Sequence, residues 1–263
     1  MNFYKYTKTV QMAMRGQTNG GIIYLFPSIL VRLLYLIPLL FLWSVIIDAN
    51  INELNGFYAG MDTTQMLSYT YISALLSEML VVQTEASSWN YNGLLQNLYI
   101  RPMSVFGQLI THTIGSWIPM LLVFSLPMLC IAPLFEIKII PESIWFFPSL
   151  LLSISLGFAI DFLFACLSVK LRGMSWLVYD IRMAIVSLFS GMVIPFKLFP
   201  FDLSRIMELQ PFGSLGGAVL SIFTGISDPV PIIIIQIFWN ITLWPLTIII
   251  FKKSQQGMMS YGG

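Results

Sequence analysis

GMVIPFKLFPFDLSRIMELQPFGSLGGAVLSIFTG, residues 191–225, is apolar enough for a membrane yet cannot make one straight helix. Pro195, Pro200 and Pro211 each remove a backbone donor and crowd the preceding turn, and Lys197, Asp202, Arg205 and Glu208 are scattered through the middle. The stretch is read as two short pieces. Pro195 and Pro200 end the preceding apolar run, Phe199 to Met207 dips inward, Leu209-Gln210-Pro211 turns, and Phe212 to Phe223 returns. A run of about a dozen apolar residues is too short to cross a bilayer but suits a re-entrant piece. Gly213, Gly216 and Gly217 permit close approach to a neighbour. Backbone broken at membrane depth is tolerated only when buried in protein or lining a cavity, so this stretch is expected to cap a path through the membrane. The alternative is a plain outer loop carrying an amphipathic surface helix.

The rest of the chain fits that setting. Of 263 residues, 57% are hydrophobic and 10% charged, and the mean hydropathy is +0.82. A soluble domain of this length could not hide so much apolar surface, so its solvent is largely lipid. A net charge of +1 gives no electrostatic case for nucleic acid. Cys130 and Cys166 both lie in apolar runs and read as small buried hydrophobes rather than a disulfide or metal ligands. The first apolar run follows a polar, basic segment and is too long for the core of a cleavable signal.

Spanning helices need about 20 mostly apolar residues. Six candidates are present: 26–47, 64–83, 105–133, 143–168, 175–195 and 229–251. The third is over-long, and Pro119, Pro127 and Pro133 predict kinks or an early exit. With both termini cytoplasmic, Lys5, Lys8, Arg15, Arg32, Arg101, Lys170, Arg172, Arg182, Lys252 and Lys253 fall on or near the inner side. Only Lys138, Lys197 and Arg205 fall outside, with most of the acids, as the positive-inside rule requires. On a helix over 3–15, Phe3, Tyr6, Val10, Ala13 and Met14 share one face, opposite Lys5, Lys8 and Arg15. That is the pattern of a helix in the membrane interface; a frayed polar tail is the alternative.

Enzyme signatures are missing. The sequence has no Gly-Lys pair, hence no Walker-type phosphate loop, and its one histidine, His112, cannot pair with another to bind a metal. Glu78 and Asp161 lie inside candidate spans, where a carboxylate is costly unless it faces a partner helix or a wet cavity. They read equally as structural hydrogen-bonding groups or as part of a transport path; His112 reads as a packing or pore-lining residue. Between spans two and three, Gly93 to Ile100 fits a short helix with Leu94, Leu95 and Leu98 on one side, stopped by Arg101-Pro102. It is either a connector or, through exposed leucines, a knob for a soluble partner.

NGLLQNLYIRPMS after span two and SGMVIPFKLFPFDLSRIMELQPF after span five resemble the ABC-2 type permeases, membrane subunits of bacterial ATP-binding-cassette transporters. The resemblance covers essentially the whole chain. It implies an all-α membrane protein in one domain over 1–263: an interfacial helix and hinge (1–21), spans one to five (26–195), an outer re-entrant hairpin (196–225), span six (229–251) and a cytoplasmic tail (252–263). It also implies residence in the bacterial inner membrane and pairing with a second permease, identical or homologous. Separate ATPase subunits would carry ATP and Mg, and no cofactor would sit on this chain. Leu94, Leu95, Leu98, Tyr99, Arg101 and Pro102 would then couple to the ATPase, and Pro195, Pro200, Glu208, Pro211 and Phe212 would form an outer gate. Export of a drug, peptide, lipid or glycan by alternating access is the leading expectation. A stand-alone secondary transporter or channel is the alternative. Such proteins usually show paired broken helices, and only 191–225 reads as clearly broken. A membrane-embedded enzyme would need Glu78, Asp161 and His112 to converge, and no spacing brings them together.

Overall fold

A computed structural model describes residues 3–54, 57–58, 61–92, 94–171, 174–199 and 203–260; the chain is mostly helical. Among these residues four helical stretches are long and apolar enough to cross a membrane: Phe26–Ile46, Val105–Phe135, Phe146–Lys170 and Pro229–Ser254. Among the described residues the protein is therefore an all-helical membrane protein apart from one tiny antiparallel pair, β1 (Phe57–Tyr58) with β2 (Met61–Asp62).

The N-terminal helix α1 (Phe3–Thr18) and the hinge after it lead into α2 (Phe26–Leu54), which packs on α3 (Thr63–Leu75). Asp62 starts α3 with a reciprocal capping box involving Gln65, which satisfies donors that lipid could not. A short α4 (Ser77–Leu80) continues from α3 after an irregular turn at Leu76. There the amide of Met79 bonds to Leu76 instead of Leu75. Ser125 donates its hydroxyl to the freed Leu75 carbonyl at 2.8 Å. The insertion of a side chain into the ladder is the ordinary cause of such a bend.

After α5 (Ala86–Tyr91) and α6 (Gln96–Tyr99) comes α7 (Val105–Met120), capped by Ser104. A π turn over Leu121–Ser125 and α8 (Leu126–Ile131) prolong it, and a 3-10 turn over Ala132–Phe135 follows. Thus the over-long third span is one interrupted helical run, with Pro119 inside α7 and left-handed Glu136 ending it. Of the face of α1 expected from the sequence, Tyr6, Val10 and Ala13 lie against α7. A Cβ on Gly107 would lie 2.7 Å from the Tyr6 ring, and one on Gly115 2.5 Å from the Val10 carbonyl. Two glycines along α7 let α1 lie lengthwise against it.

The central helix is α9 (Phe146–Lys170), the most buried of the four long stretches. Against it pack α4, α5, α10 (Ser175–Phe189), α12 (Gly216–Phe223) and α13 (Pro229–Ser260). The helix α13 runs parallel to α9, tied by Asn240 to the Leu152 carbonyl (3.1 Å), Trp244 to Ser155 (2.9 Å) and Thr247 to the Ala159 carbonyl (3.1 Å). By contrast α7 crosses α9 obliquely. Phe106 meets Phe162 and Trp117 stacks on Phe158, so about 16 Å of α7 passes against about 6 Å of α9.

Besides the interrupted third, two of the six candidate spans break off short of their expected ends. The 64–83 segment bends at Leu76 and unwinds after Leu80, and the 175–195 segment stops at Phe189. The second stop precedes the prolines that were expected to cause it. Ser190 caps the helix and Gly191 follows with φ 73, a left-handed glycine stop. Pro195 is instead buried at the start of a 3-10 turn over Phe196–Leu198, and Pro200 lies outside the described residues. Cys166 is buried, whereas Cys130 is exposed on α8, contrary to its expected burial.

Candidate functional site

Unwinding inside a membrane protein exposes backbone groups that lipid cannot satisfy, and both breaks are answered by named groups from other elements. Where the chain leaves α4, the Thr84 amide donates to Asp161 of α9 at 3.0 Å, and the Thr84 hydroxyl donates to the same oxygen. The other Asp161 oxygen pairs with Arg182 of α10 at 3.0 Å. Arg182 in turn donates to the Val82 carbonyl. Asp161 and Arg182 are both buried. One ion pair thus clasps α9, α10 and the unwound 81–85 segment. Asp161 was legible as costly; its partner was not, because Arg182 reads from the sequence as one more inner-side cation.

Where the chain leaves α10, the four carbonyls from Phe189 to Met192 lie at or past the helix end and have no helical donor. Gln210 donates to Phe189 (2.7 Å), the Gly217 amide to Ser190, the Tyr69 hydroxyl to Gly191 (2.6 Å) and the Ser73 hydroxyl to Met192 (2.9 Å). Two of these donors, Tyr69 and Ser73, come from α3, and two, Gln210 and the Gly217 amide, come from the 203–223 hairpin, whose first limb is α11 (Leu203–Leu209).

That hairpin reaches deep into the helical stack. The Leu215 carbonyl accepts from Ser153 at 2.7 Å, and a Cβ on Gly157 would be 3.9 Å from the Leu215 side chain; these lie about 10–17 Å along α9 from Phe146. On the other side, Gln236 donates to the Ser214 carbonyl and Trp239 to the Leu209 carbonyl, both at 2.9 Å or less. At its far end α12 returns to the start of α9, with the Phe223 and Phe146 rings 5.3 Å apart. The three glycines permit this closeness. A Cβ on Gly213, Gly216 or Gly217 would lie 1.9 Å from the Met207 carbonyl, 2.1 Å from Met192 or 2.2 Å from the Phe196 ring.

The two limbs differ from the symmetric dip expected. No residue of α11 is buried, and burial becomes continuous from Gly213 to Leu220, with Pro211 and Phe212 half-buried. Glu208, one of the residues expected in the outer gate, is exposed at a cavity rim. Partial burial raises its carboxyl above the ordinary glutamate value, with Lys197 first and Arg205 second pulling it back.

Between α2, α3 and α10 lies a cavity of about 320 Å³. Its walls are mostly apolar, including Leu36, Val81 and Val186, while Arg32, Ser77 and Ser190 supply polar points. Arg32 pairs with Glu78, bonds Ser77 and sits 5.7 Å from the Phe124 ring centre. Glu78 is therefore one half of a helix-bridging pair at the cavity wall. His112 stands apart, its ring 4.8 Å from Trp89. Among the described residues Glu78, Asp161 and His112 each have separate partners, and they do not form one centre.

The segment before α7 departs most from expectation. The helix is only Gln96–Tyr99, and Gly93 lies outside the described residues. Leu95 and Leu98 are buried in a cluster with Leu109, Phe162 and Ala165, so they cannot serve as exposed knobs. Gln108 reaches back to the Leu98 carbonyl at 2.8 Å and fixes the turn. Leu94, Ile100, Arg101 and Pro102 remain exposed, and Tyr99 is half-buried. A helix this short shows no periodicity long enough to separate its two faces in advance.

No family model matches the chain, and comparison with curated proteins and with solved structures likewise gives no match.

Proposed function

We propose that this chain is the permease subunit of an ATP-driven transporter of the ABC-2 type, moving an amphiphilic substrate out of a bacterial cell. The observation that carries the reading is the hairpin seated on the unwound end of α10, beside a cavity with apolar walls and a few polar points. A site of about 300–1,000 Å³ with that character suits a drug-sized amphiphile. Breaks in two helices give the backbone places to hinge, and the Arg32–Glu78 and Asp161–Arg182 pairs tie the moving pieces together. In this reading the bent 64–83 and 175–195 segments complete six crossings, both termini are cytoplasmic, and a second permease faces this one. ATP and Mg act on separate ATPase subunits that push on the exposed Leu94 and Ile100–Pro102 edge. The test is reconstitution with a candidate ATPase in proteoliposomes: ATP should drive substrate accumulation and substrate should alter ATP turnover. Uptake driven by an ion gradient with ATPase absent would sink the reading.

One observation favours a second reading. The break after Leu80 gives the 191–225 break a counterpart in the first half of the chain, which the sequence did not reveal. Paired broken helices are a mark of secondary transporters, and the same reconstitution separates the two.

A further inference from the structure

We infer that the cleft beside the Asp161–Arg182 clasp holds the cationic head of an amphiphile whose tail lies in the cavity between α2, α3 and α10. The inference names the charge class of the substrate, and it rests on the transporter reading for its biological meaning but not for the binding itself.

The cleft has a volume of about 220 Å³ and lies between the 83–88 segment and the first two turns of α10, with Asp161 and Arg182 in its lining. Those two charges cancel. Glu85 remains, exposed and bonded by the Ser88 hydroxyl at 2.5 Å, with no ion-pair partner among the described residues. Asp161 and His112 both feel its charge. The first is repelled by it. The second is set edge-on to Trp89, and an imidazole is mostly uncharged at neutral pH. The cleft thus holds two carboxylates for one guanidinium, which favours a cation and opposes an anion.

The second observation is aromatic. Trp176 and Tyr179, one turn apart on α10, line the same cleft and are 64% and 41% exposed. Among the described residues neither ring meets another ring or covers a cation. The open face of such a ring attracts an ammonium group.

The third observation is order along the helix. Trp176, Tyr179, Met183, Val186 and Ser190 follow one another at three- or four-residue spacing, so they share one face of α10. The first two line the cleft and the last three line the 320 Å³ cavity; on the facing segment Gln83 and Thr84 line the cleft and Val81 the cavity. Charge and hydroxyls therefore give way to apolar wall over the roughly 15 Å from Trp176 to Val186. The cavity is neutral, because Arg32 in its lining is paired with Glu78, and it opens outward past the exposed Val31 and Tyr35. Since α9 ends at Lys170 and α10 starts at Ser175, the cleft is at the surface end of the bundle. Head in the cleft and tail in the cavity is the posture of an amphiphile standing in one leaflet.

Two photoreactive dodecylammonium probes test it, one with a diazirine beside the nitrogen and one with the diazirine at the tail end. The full chain is placed without nucleotide in nanodiscs of digalactosyldiacylglycerol, an uncharged lipid, and labelled residues are mapped by mass spectrometry. Ile241 and Ile249, exposed on α13 at two depths, correct for partitioning into the disc. The head probe should mark 83–88 and 175–179, and the tail probe 183–193, each at least about tenfold more than the matched carboxylate probes do. E85Q should remove that preference. On the unaltered chain, excess dodecylamine should abolish the labelling and dodecanoate should not. Phosphatidylethanolamine added to the disc should compete if the natural ammonium is a lipid headgroup and leave labelling unchanged if it is a free amphiphile. If Trp176 and Tyr179 only anchor the chain at the interface, probes of either charge would label α10 no more than α13. That result, or equal labelling by ammonium and carboxylate probes, would overturn the site. Since neither ATP nor an ATPase is present, failed transport leaves positive labelling standing, and failed labelling leaves the transporter reading intact.

Discussion

Replacing Arg182 by leucine should be among the most damaging single changes in the molecule. The substitution strands the buried Asp161 carboxylate and removes the donor to the Val82 carbonyl. Breaking a buried pair by removing one partner costs about 3–5 kcal/mol, and at about 2–4 °C per kcal/mol for a chain of this size the midpoint should fall by roughly 10 °C. Asp161→Leu should cost a comparable amount, because it strands Arg182 and the Thr84 amide. The informative variant is the double one. With both charges gone, what remains is a pair of orphaned backbone groups at about 1–3 kcal/mol each, offset in part by two apolar side chains. The double variant should therefore be no less stable than the worse single variant, far short of the sum of the two. Thermal unfolding of the purified protein in mild detergent, followed by circular dichroism, measures all three. A double variant that loses the full sum would show that the two charges act independently, and the clasp argument would fail.

In a cysteine scan of the hairpin, positions 205 and 206 should label readily and 213–220 should resist, following the change from exposed to continuous burial. Equal labelling along both limbs would remove the proposed seating of α12. Gly213→Ala should destabilise by more than an ordinary glycine substitution, since its Cβ would meet backbone at 1.9 Å; an unchanged melting point would show that the close approach is not required. Leu95→Asp and Leu98→Asp should lower the yield of folded protein, whereas Leu94→Asp and Arg101→Glu should spare folding and reduce stimulation of a reconstituted ATPase. Full stimulation in both of the latter would leave the segment a connector. Cysteine at Glu136 should label from outside intact cells and cysteine at Asn97 should not, and the reverse would invert the proposed orientation.

The long elements were legible because apolar length alone marks them: α2, the α7–α8 run, α9 and α13 fall where hydropathy places them. The two shorter helices, α3 and α10, start where hydropathy places them, but their early ends were not legible, because most of the causes are tertiary. Ser125 bends the chain at Leu75 from fifty residues away, and Arg182 holds open the Val82 turn from a hundred residues away. Gly191 was the exception, a local stop signal hidden by the more conspicuous prolines after it. At the candidate sites, residue type told which groups were costly in lipid but not who paired with them. The burial of Leu95 and Leu98 followed from the α9 surface, which no four-residue window could disclose.

The π turn over Leu121–Ser125 carries its own consequence. The Leu126 amide reaches back five residues to Leu121, so the third apolar run contains one residue more than a regular helix would need over the same rise. That surplus is a phase shift. Trp117 on one side of it stacks with Phe158, and Ser125 on the other bonds the Leu75 carbonyl, so each half of the run is held in its own phase. A chain lacking exposed Leu122 could close the helix with both faces still in place, whereas a chain lacking a residue on either flank would turn the following half by about 100° away from its neighbours. The spare residue thus marks where this helix tolerates a change of length.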